Sequence, residues 1–486
     1  MPRATVLLRA LVASATLVGL VALVAVQPAS AAGRHVNATT ATFTPTELPL
    51  PSDASQDATP VSLNAITCPS ASFCAALGQY GSDTGEPMFV DTLSRGKWKA
   101  TELPFPANAN PSNTINLFSL SCPAAGSCFA VGYYAATANS QPGLIESLSG
   151  GRWTAQAAPL PANAAESNQD DALSAIACTS VHSCVAIGGY VDTSNHRQVL
   201  TETLSGSTWK AKEAPLPANA GPSAPMVGGP GLSAITCESA NSCLAIGSYT
   251  TVDGEEGLIE RLAKGIWNTE EAPLPANAAT AANQQDVTLD AVVCPGGSCV
   301  AVGQYVVAST GDQPGLIEIL SGTTWTPIAA PVPANGVTGR GAILYAITCM
   351  SAASCVAVGA YSANTPGGLI DTLSAGTWTA TAAPVPAGGN GVYLDSIACP
   401  ATDSCVAIGG YSAKKFGTSA GVIEALSGGT WSASTAPLPT GGDVTSSVVL
   451  GALGFSSPSV ACVGGTCYGV GTYNNNSLGL VEKGPV

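Results

Sequence analysis

The chain has 486 residues and a formal net charge of −15, although only 10% of its residues are charged. An acidic balance of this kind argues against nucleic acid or an anionic membrane surface as a partner, because like charges repel. Length alone suggests about three domains, but internal repetition overrides that expectation.

The N-terminus reads as an export signal. Arg3 and Arg9 give a positive start, Leu11 to Val26 form an uncharged apolar stretch, and Ala29-Ser30-Ala31 is an A-x-A cleavage site. The stretch is too short, and too closely followed by small residues, for a membrane anchor. No Cys lies near the cleavage point to carry a lipid, and no second long apolar run follows. The expectation is a signal peptide over residues 1–31, a flexible segment over 32–42 and a secreted, monomeric mature protein without a membrane span.

From residue 43 onward, versions of one unit fill the sequence. Its clearest copy begins LDSIACPATDSCVAIGGY at Leu394 and ends GVIEALSGGTWSASTAPLP at Pro439. An apolar run ends in Cys; after a short gap, a second Cys opens C-V-A-I-G-x-Y. Then come G-L-I-E-x-L-S-G, T-W and A-P-L-P. Each copy predicts four short strands separated by Gly, Pro, Ser and Asn, and no helical period appears. The fold class is therefore all-β, an eight-bladed β-propeller over 43–486 with four antiparallel strands per blade. A parallel β-helix is the alternative, but its rungs are shorter and carry no hairpin disulfides.

The sixteen cysteines fall into eight close pairs: Cys68 and Cys74, Cys122 and Cys128, Cys178 and Cys184, Cys237 and Cys243, Cys294 and Cys299, Cys349 and Cys355, Cys399 and Cys405, Cys462 and Cys467. In an exported chain this spacing predicts a disulfide within each hairpin. Zinc would need four converging ligands, and His is nearly absent from the repeats, so no metal and no cofactor are expected.

The ends of the chain predict ring closure. Seven copies carry a fourth-strand Trp, from Trp98 to Trp431, while the eighth stops at GLVEKGPV before a fourth strand. Phe43, followed by TPTELPLP, has the spacing of Trp98 to Pro106, so the first mature strand should complete the last blade. That blade is also the least regular, because Leu450 lies far before Cys462 and Pro458 intrudes.

The turn between the third and fourth strands reads LSGSTW at Leu204, LSGTTW at Leu320 and LSAGTW at Leu373. Here the chain resembles the Asp-box (BNR) repeat family, whose turn runs S-x-D-x-G-x-T-W in a propeller blade. Ser205, Thr208 and Trp209 match by type, as do Ser321, Thr324 and Trp325, but the Asp is missing and the turn is shorter. The resemblance implies blade geometry and does not carry sialidase chemistry with it. Over almost its whole mature length the chain also resembles exported bacterial repeat proteins with a C-P-x-x-x-x-C-x-A-V-G signature, which implies no activity.

An acidic residue recurs on every third strand: Asp91, Glu146, Glu202, Glu260, Glu318, Asp371, Glu424 and Glu482. A group present in every blade is expected to bond a turn or a neighbouring blade rather than form a cation site. The Tyr ending each second strand should pack between blades with a bonded hydroxyl.

Function is sought where the repeat varies. In an antiparallel blade the two-to-three and four-to-one connections share one face, and these are the variable ones. Candidate binding residues there are Asp192, His196 and Arg197, then Asp253, Glu255 and Glu256, and Lys414 and Lys415. The opposite face carries the constant Cys hairpins and L-S-G turns. Histidines are too few for a copper site and arginines too scattered for a sialidase. The reading is a non-catalytic binding or surface-interaction module for an extracellular glycan or protein. The alternative is a glycan-active hydrolase or lyase using carboxylates on the variable face.

Overall fold

A computed structural model describes residues 42–55, 60–82, 85–110, 115–137, 140–166, 170–221, 231–280, 285–337, 341–413, 418–443, 445–451 and 458–486. The expected export signal lies outside the described residues, as do Lys414 and Lys415. The chain forms eight antiparallel sheets arranged as a β-propeller. Blades one to seven span residues 62–102, 115–157, 172–213, 231–271, 288–329, 342–382 and 389–435, and blade eight combines 449–485 with 44–47. In blade three the strands are Ala172–Ser180, Ser183–Val191, Arg197–Ser205 and Thr208–Glu213, hydrogen-bonded in that order.

Neighbouring blades stack face to face, so the inner strands have no solvent side. This is why C-V-A-I reads apolar at every position, with Val185, Ala186 and Ile187 all buried. The fourth strand has one free face and alternates accordingly: Trp209 is buried while Thr208 and Lys210 are exposed. Apolar burial is therefore divided into layers between blades. Val90 and Leu77 of blade one, for example, pack against Leu117, Leu144 and Trp153 of blade two. Each such side chain contributes roughly 1.5–3 kcal/mol when fully buried.

The glycine of V-A-I-G has a specific cause. In blades one to seven the first strand carries a β-bulge after its Leu, as between Leu173 and Ala175. The bulge presses the backbone against the second strand. A Cβ on Gly132, Gly188 or Gly359 would strike the carbonyl of Asn116, Ala172 or Ile343 respectively.

All eight Cys pairs are disulfide-bonded within their own hairpins, as expected. Their partners lie only five or six residues apart in sequence, so each bridge contributes about 2 kcal/mol. Eight bridges in one chain are the chemistry of an oxidising compartment. No helix among the described residues is long and apolar enough to cross a membrane.

The N-terminal strand closes the ring. Thr44–Glu47 pairs antiparallel with Leu478–Pro485, with Thr44 opposite Lys483 and Glu47 opposite Leu480. Phe43 is buried and its ring covers Gly484, where a Cβ would meet it at 2.7 Å. In the other blades the Trp lies opposite a Leu, as Trp209 lies opposite Leu204. In blade eight the inner strand is split into Val449–Leu450 and Val460–Val463, both paired with Thr466–Tyr473. Pro458 there accepts a hydrogen bond from Ile66 N at 2.9 Å, tying the last blade to the first at the inner ring.

The second-strand Tyr hydroxyls are bonded as expected. Tyr134, Tyr305 and Tyr361 donate to Asn108, Asn277 and Asn335, each at 2.9–3.0 Å. Those Asn residues follow the fourth strand of the preceding blade, so P-A-N is an inter-blade tie. The third-strand acids differ from expectation. They are fully buried, yet apart from a contact of Glu260 with Thr269 their carboxyl oxygens have no hydrogen-bond partner. Each is flanked across the sheet by small or non-ionic residues: Glu146 by Ala130 and Ala155, Glu202 by Ala186 and Ala211, Glu318 by Ala301 and Pro327. Burial pushes Asp91 up to about 8 and Glu146 and Glu318 to about 9, so these groups are neutral carboxylic acids at pH 7. They pack as uncharged groups rather than bonding a turn.

Candidate functional site

The variable face is built from the two-to-three and four-to-one connections, and its charged residues are largely engaged by their own loops. Asp192 Oδ1 accepts hydrogen bonds from the backbone N–H groups of Ser194 at 2.8 Å and His196 at 2.9 Å, and Oδ2 accepts one from Gln198 Nε2 at 2.9 Å. These bonds hold its carboxyl below the usual range although burial opposes them. Asp192 therefore shapes the turn that presents His196. Arg197 turns the other way and pairs with Asp170 at 3.6 Å. Beneath it, buried Asp171 accepts a bond from Val191 N, and burial lifts its pKa to about 6.

In blade four Glu255 accepts a hydrogen bond from the Ser248 hydroxyl, and its backbone carbonyl accepts one from Val287 N at 3.1 Å. Glu256 is buried, and its Oε2 has no partner. Burial, then Glu271 and Asp253, push its pKa to about 7. Glu271 itself accepts from Tyr249 and Asn219 at 2.9 and 2.8 Å. Asp253 is half-buried beside the exposed Val252. The blade-three and blade-four candidates thus form two separate loop groups.

Sequence reasoning missed a cluster on the inner strands. The bulge residue of each first strand is Asn64, Phe118, Ser174, Ser233, Asp290, Tyr345 and Asp395 in blades one to seven. In blades three and four its hydroxyl bonds the next blade: Ser233 Oγ donates to Leu289 O at 2.6 Å, and Ser174 to Leu232 O. In blades five to seven it lines a cavity of about 500 Å³ bounded by inner strands. Burial raises Asp290 to about 6 and Asp395 to about 7. Tyr345, on the blade between them, is raised by burial and then by both carboxylates. Asp395 Oδ1 is buried without a hydrogen-bond partner. Two carboxyl groups titrating near neutrality can hold or release a proton at physiological pH. Among the described residues no three His, Cys, Asp or Glu side chains converge as metal ligands. The signal was present in the sequence, since this position varies between invariant neighbours in L-x-A-I.

No protein-family model matches the chain, and no curated protein matches it in sequence. Solved structures similar to it include Sqt1 from Chaetomium thermophilum bound to the N-terminus of ribosomal protein L10, at 12% identity and a TM-score of 0.45, covering 88% of this chain and 98% of that one. The BP39L lectin from Burkholderia pseudomallei aligns at 14% identity and a TM-score of 0.43, over 77% of this chain and 97% of the lectin. The GH74 xyloglucanase from Xanthomonas campestris aligns at 11% and 0.37, over 85% and 72%. At these values the likenesses carry no inference about function.

Proposed function

We propose that the protein is a secreted binding module whose variable face contacts an extracellular glycan or protein. One observation carries this reading. Of the large apolar side chains exposed among the described residues, Phe105, Val252, Val337 and Val385 lie on two-to-three or four-to-one connections, and only Ile266 lies on a three-to-four turn. Val252 is 78% exposed at the tip of its loop. A rigid scaffold that places apolar tips among polar loops on one face offers desolvation there to a partner.

The test is a screen of the mature protein against glycans and cell-wall polymers, following both binding and product release. Once a binder is found, Val252→Ala with Asp253→Ala should weaken it at least several-fold with the thermal midpoint unchanged. Ser205→Ala and Ser321→Ala, on the other face, should have no effect. The reverse pattern would place the site on the wrong face. A hydrolase or lyase reading is favoured by Asp290 and Asp395, which line the channel-like cavity between the inner strands. It predicts released product that disappears in Asp395→Asn.

A further inference from the structure

The blades share one plan, so each is a control for the others, and departures from the plan stand out. One departure outside the variable face lies in the three-to-four turn of blade one. Four sibling turns place Gly150, Gly206, Gly322 and Gly428 at a left-handed position, with φ between 57° and 69°. Blade one puts Arg95 there at φ 51°. Two residues on, where four siblings have Thr, blade one has Lys97 and blade two Arg152; then comes Lys99, where three siblings have Thr. Lys210 and Lys212 follow in blade three. Six of the ten Lys and Arg side chains among the described residues thus sit on the outer strands and turns of blades one to three, in a chain of net charge −15.

Two of these cations, Arg95 and Lys99, line a cleft. Between blades one and two a cavity of about 480 Å³ opens, lined by Phe73, Ser94, Arg95, Lys99, Thr101 and Trp153 among others, with no acidic residue. Lys97 and Arg152 adjoin these lining residues in the two turns. A related cleft between blades four and five has only about 50 Å³ and is lined by Glu238 as well as Arg261. Among the described residues none of Arg95, Lys97, Lys99 and Arg152 is in an ion pair. Holding a non-glycine residue in the left-handed region costs on the order of 1 kcal/mol. Blades four and six carry Lys264 at φ 53° and Ala375 at φ 49° at the same position, but the four blades with glycine show that blade construction does not require a side chain there.

We propose that this cleft on the constant face binds a linear polysaccharide carrying anionic groups. Cations with no internal partner supply the attraction, hydroxyls match sugar hydroxyls, and the Phe73 and Trp153 rings provide an apolar floor. The rest of the acidic surface repels a polyanion, so contact is confined to this patch. The site lies opposite the variable loops, and the two readings stand or fall separately.

The test measures binding of the mature protein to polygalacturonate and dextran sulfate at low ionic strength, with uncharged dextran and linear polyphosphate alongside. The variant is Arg95→Gly, Lys97→Thr and Lys99→Thr together, each change taking a residue that sibling blades already carry, so the fold is preserved. Binding to at least one anionic polysaccharide should weaken about tenfold or more in the variant, and salt should weaken it in the wild type. Lys264→Ala, which removes a cation from the equivalent turn of blade four, should leave it unchanged. Failure of the wild type to bind either polymer would overturn the proposal. So would equal binding of dextran, tighter binding of polyphosphate, or an unaffected triple variant.

Discussion

Two sets of carboxyl groups in this molecule are shifted upward by burial, and they contrast instructively. The third-strand set occurs in all eight blades, is fully buried, and is flanked across the sheet by small or non-ionic residues. The channel pair, Asp290 and Asp395, occurs in two blades only, is partly accessible, and shares a cavity with Tyr345. A residue that every blade repeats answers a need every blade has, so the first set belongs to construction. A residue that two blades carry where others have Ser, Asn or Phe answers no such need. Repetition within the chain thus separates architecture from chemistry without any other sequence.

If repeated positions are architecture, the ring should break most easily where a distant segment completes the repeat. Removing residues 32–52 deletes Phe43 and the strand paired with Leu478–Pro485, leaving an unpaired sheet edge. The expected result is loss of the cooperative melting transition and aggregation, read by calorimetry and light scattering. The milder Phe43→Ala should cost about 3 kcal/mol, because nothing else can cover Gly484. A deletion variant that stays monomeric and melts with the parent would refute closure by this strand.

The second prediction concerns pH. An unfolded Glu loses its proton near its ordinary pKa of about 4.3, whereas folded Glu146 and Glu318 keep theirs to about 9. Between those values the folded state binds more protons, so stability falls as pH rises. The contribution is fully present below about pH 4 and lost by about pH 9, with an upper limit of roughly 6 kcal/mol per carboxyl. The thermal midpoint should therefore decline from mildly acidic to alkaline buffer. Glu146→Met should flatten the decline and raise the midpoint at pH 8. A midpoint that rises steadily to pH 9 would mean the carboxyls are paired in solution.

How far the sequence could be read follows from the same contrast. The eight blades, the hairpin disulfides and the closure at Phe43 were legible because each rests on spacing repeated many times. The bonded tyrosines were legible too, since a buried phenol needs a partner. The third-strand acids were located correctly, but their environment was not: a sequence shows that Glu202 recurs, not that Ala186 and Ala211 leave it an apolar niche. The Asp290–Tyr345–Asp395 cluster went unseen because its members are single residues about fifty positions apart, joined only when blades five to seven converge on the channel. Asp192 was named as a binding residue, but whether a loop carboxylate faces a ligand or its own backbone depends on turn geometry.

A third prediction sharpens the channel side of the comparison. With 13C-labelled aspartate, three carboxyl resonances should titrate with midpoints near 6 to 7, those of Asp171, Asp290 and Asp395. Asp290→Asn should remove one of them and leave the melting transition at pH 5 within about 1 kcal/mol, since the neutral acid and the amide are similar in size and polarity. Ordinary aspartate titration at both positions would show that water fills the channel enough to solvate the pair, and the contrast with the third-strand set would lose its chemical half.

The smallest effect separates a residue kept for its side chain from one kept for its turn. Arg95 at φ 51° occupies a conformation that four siblings give to glycine. Arg95→Gly relieves backbone strain of about 1 kcal/mol. It also gives the unfolded chain more conformations, which costs about 0.5–1 kcal/mol. The net change should lie within about 1 kcal/mol and on the stabilising side, because the exposed Arg side chain forms no ion pair among the described residues. Ala375→Gly, at φ 49° in blade six, balances the same two terms and should behave alike. Chemical denaturation of both variants against the parent reads this directly. If Arg95→Gly proved clearly destabilising while Ala375→Gly did not, the guanidinium would be holding the turn together, and Arg95 would move to the architectural side of the comparison.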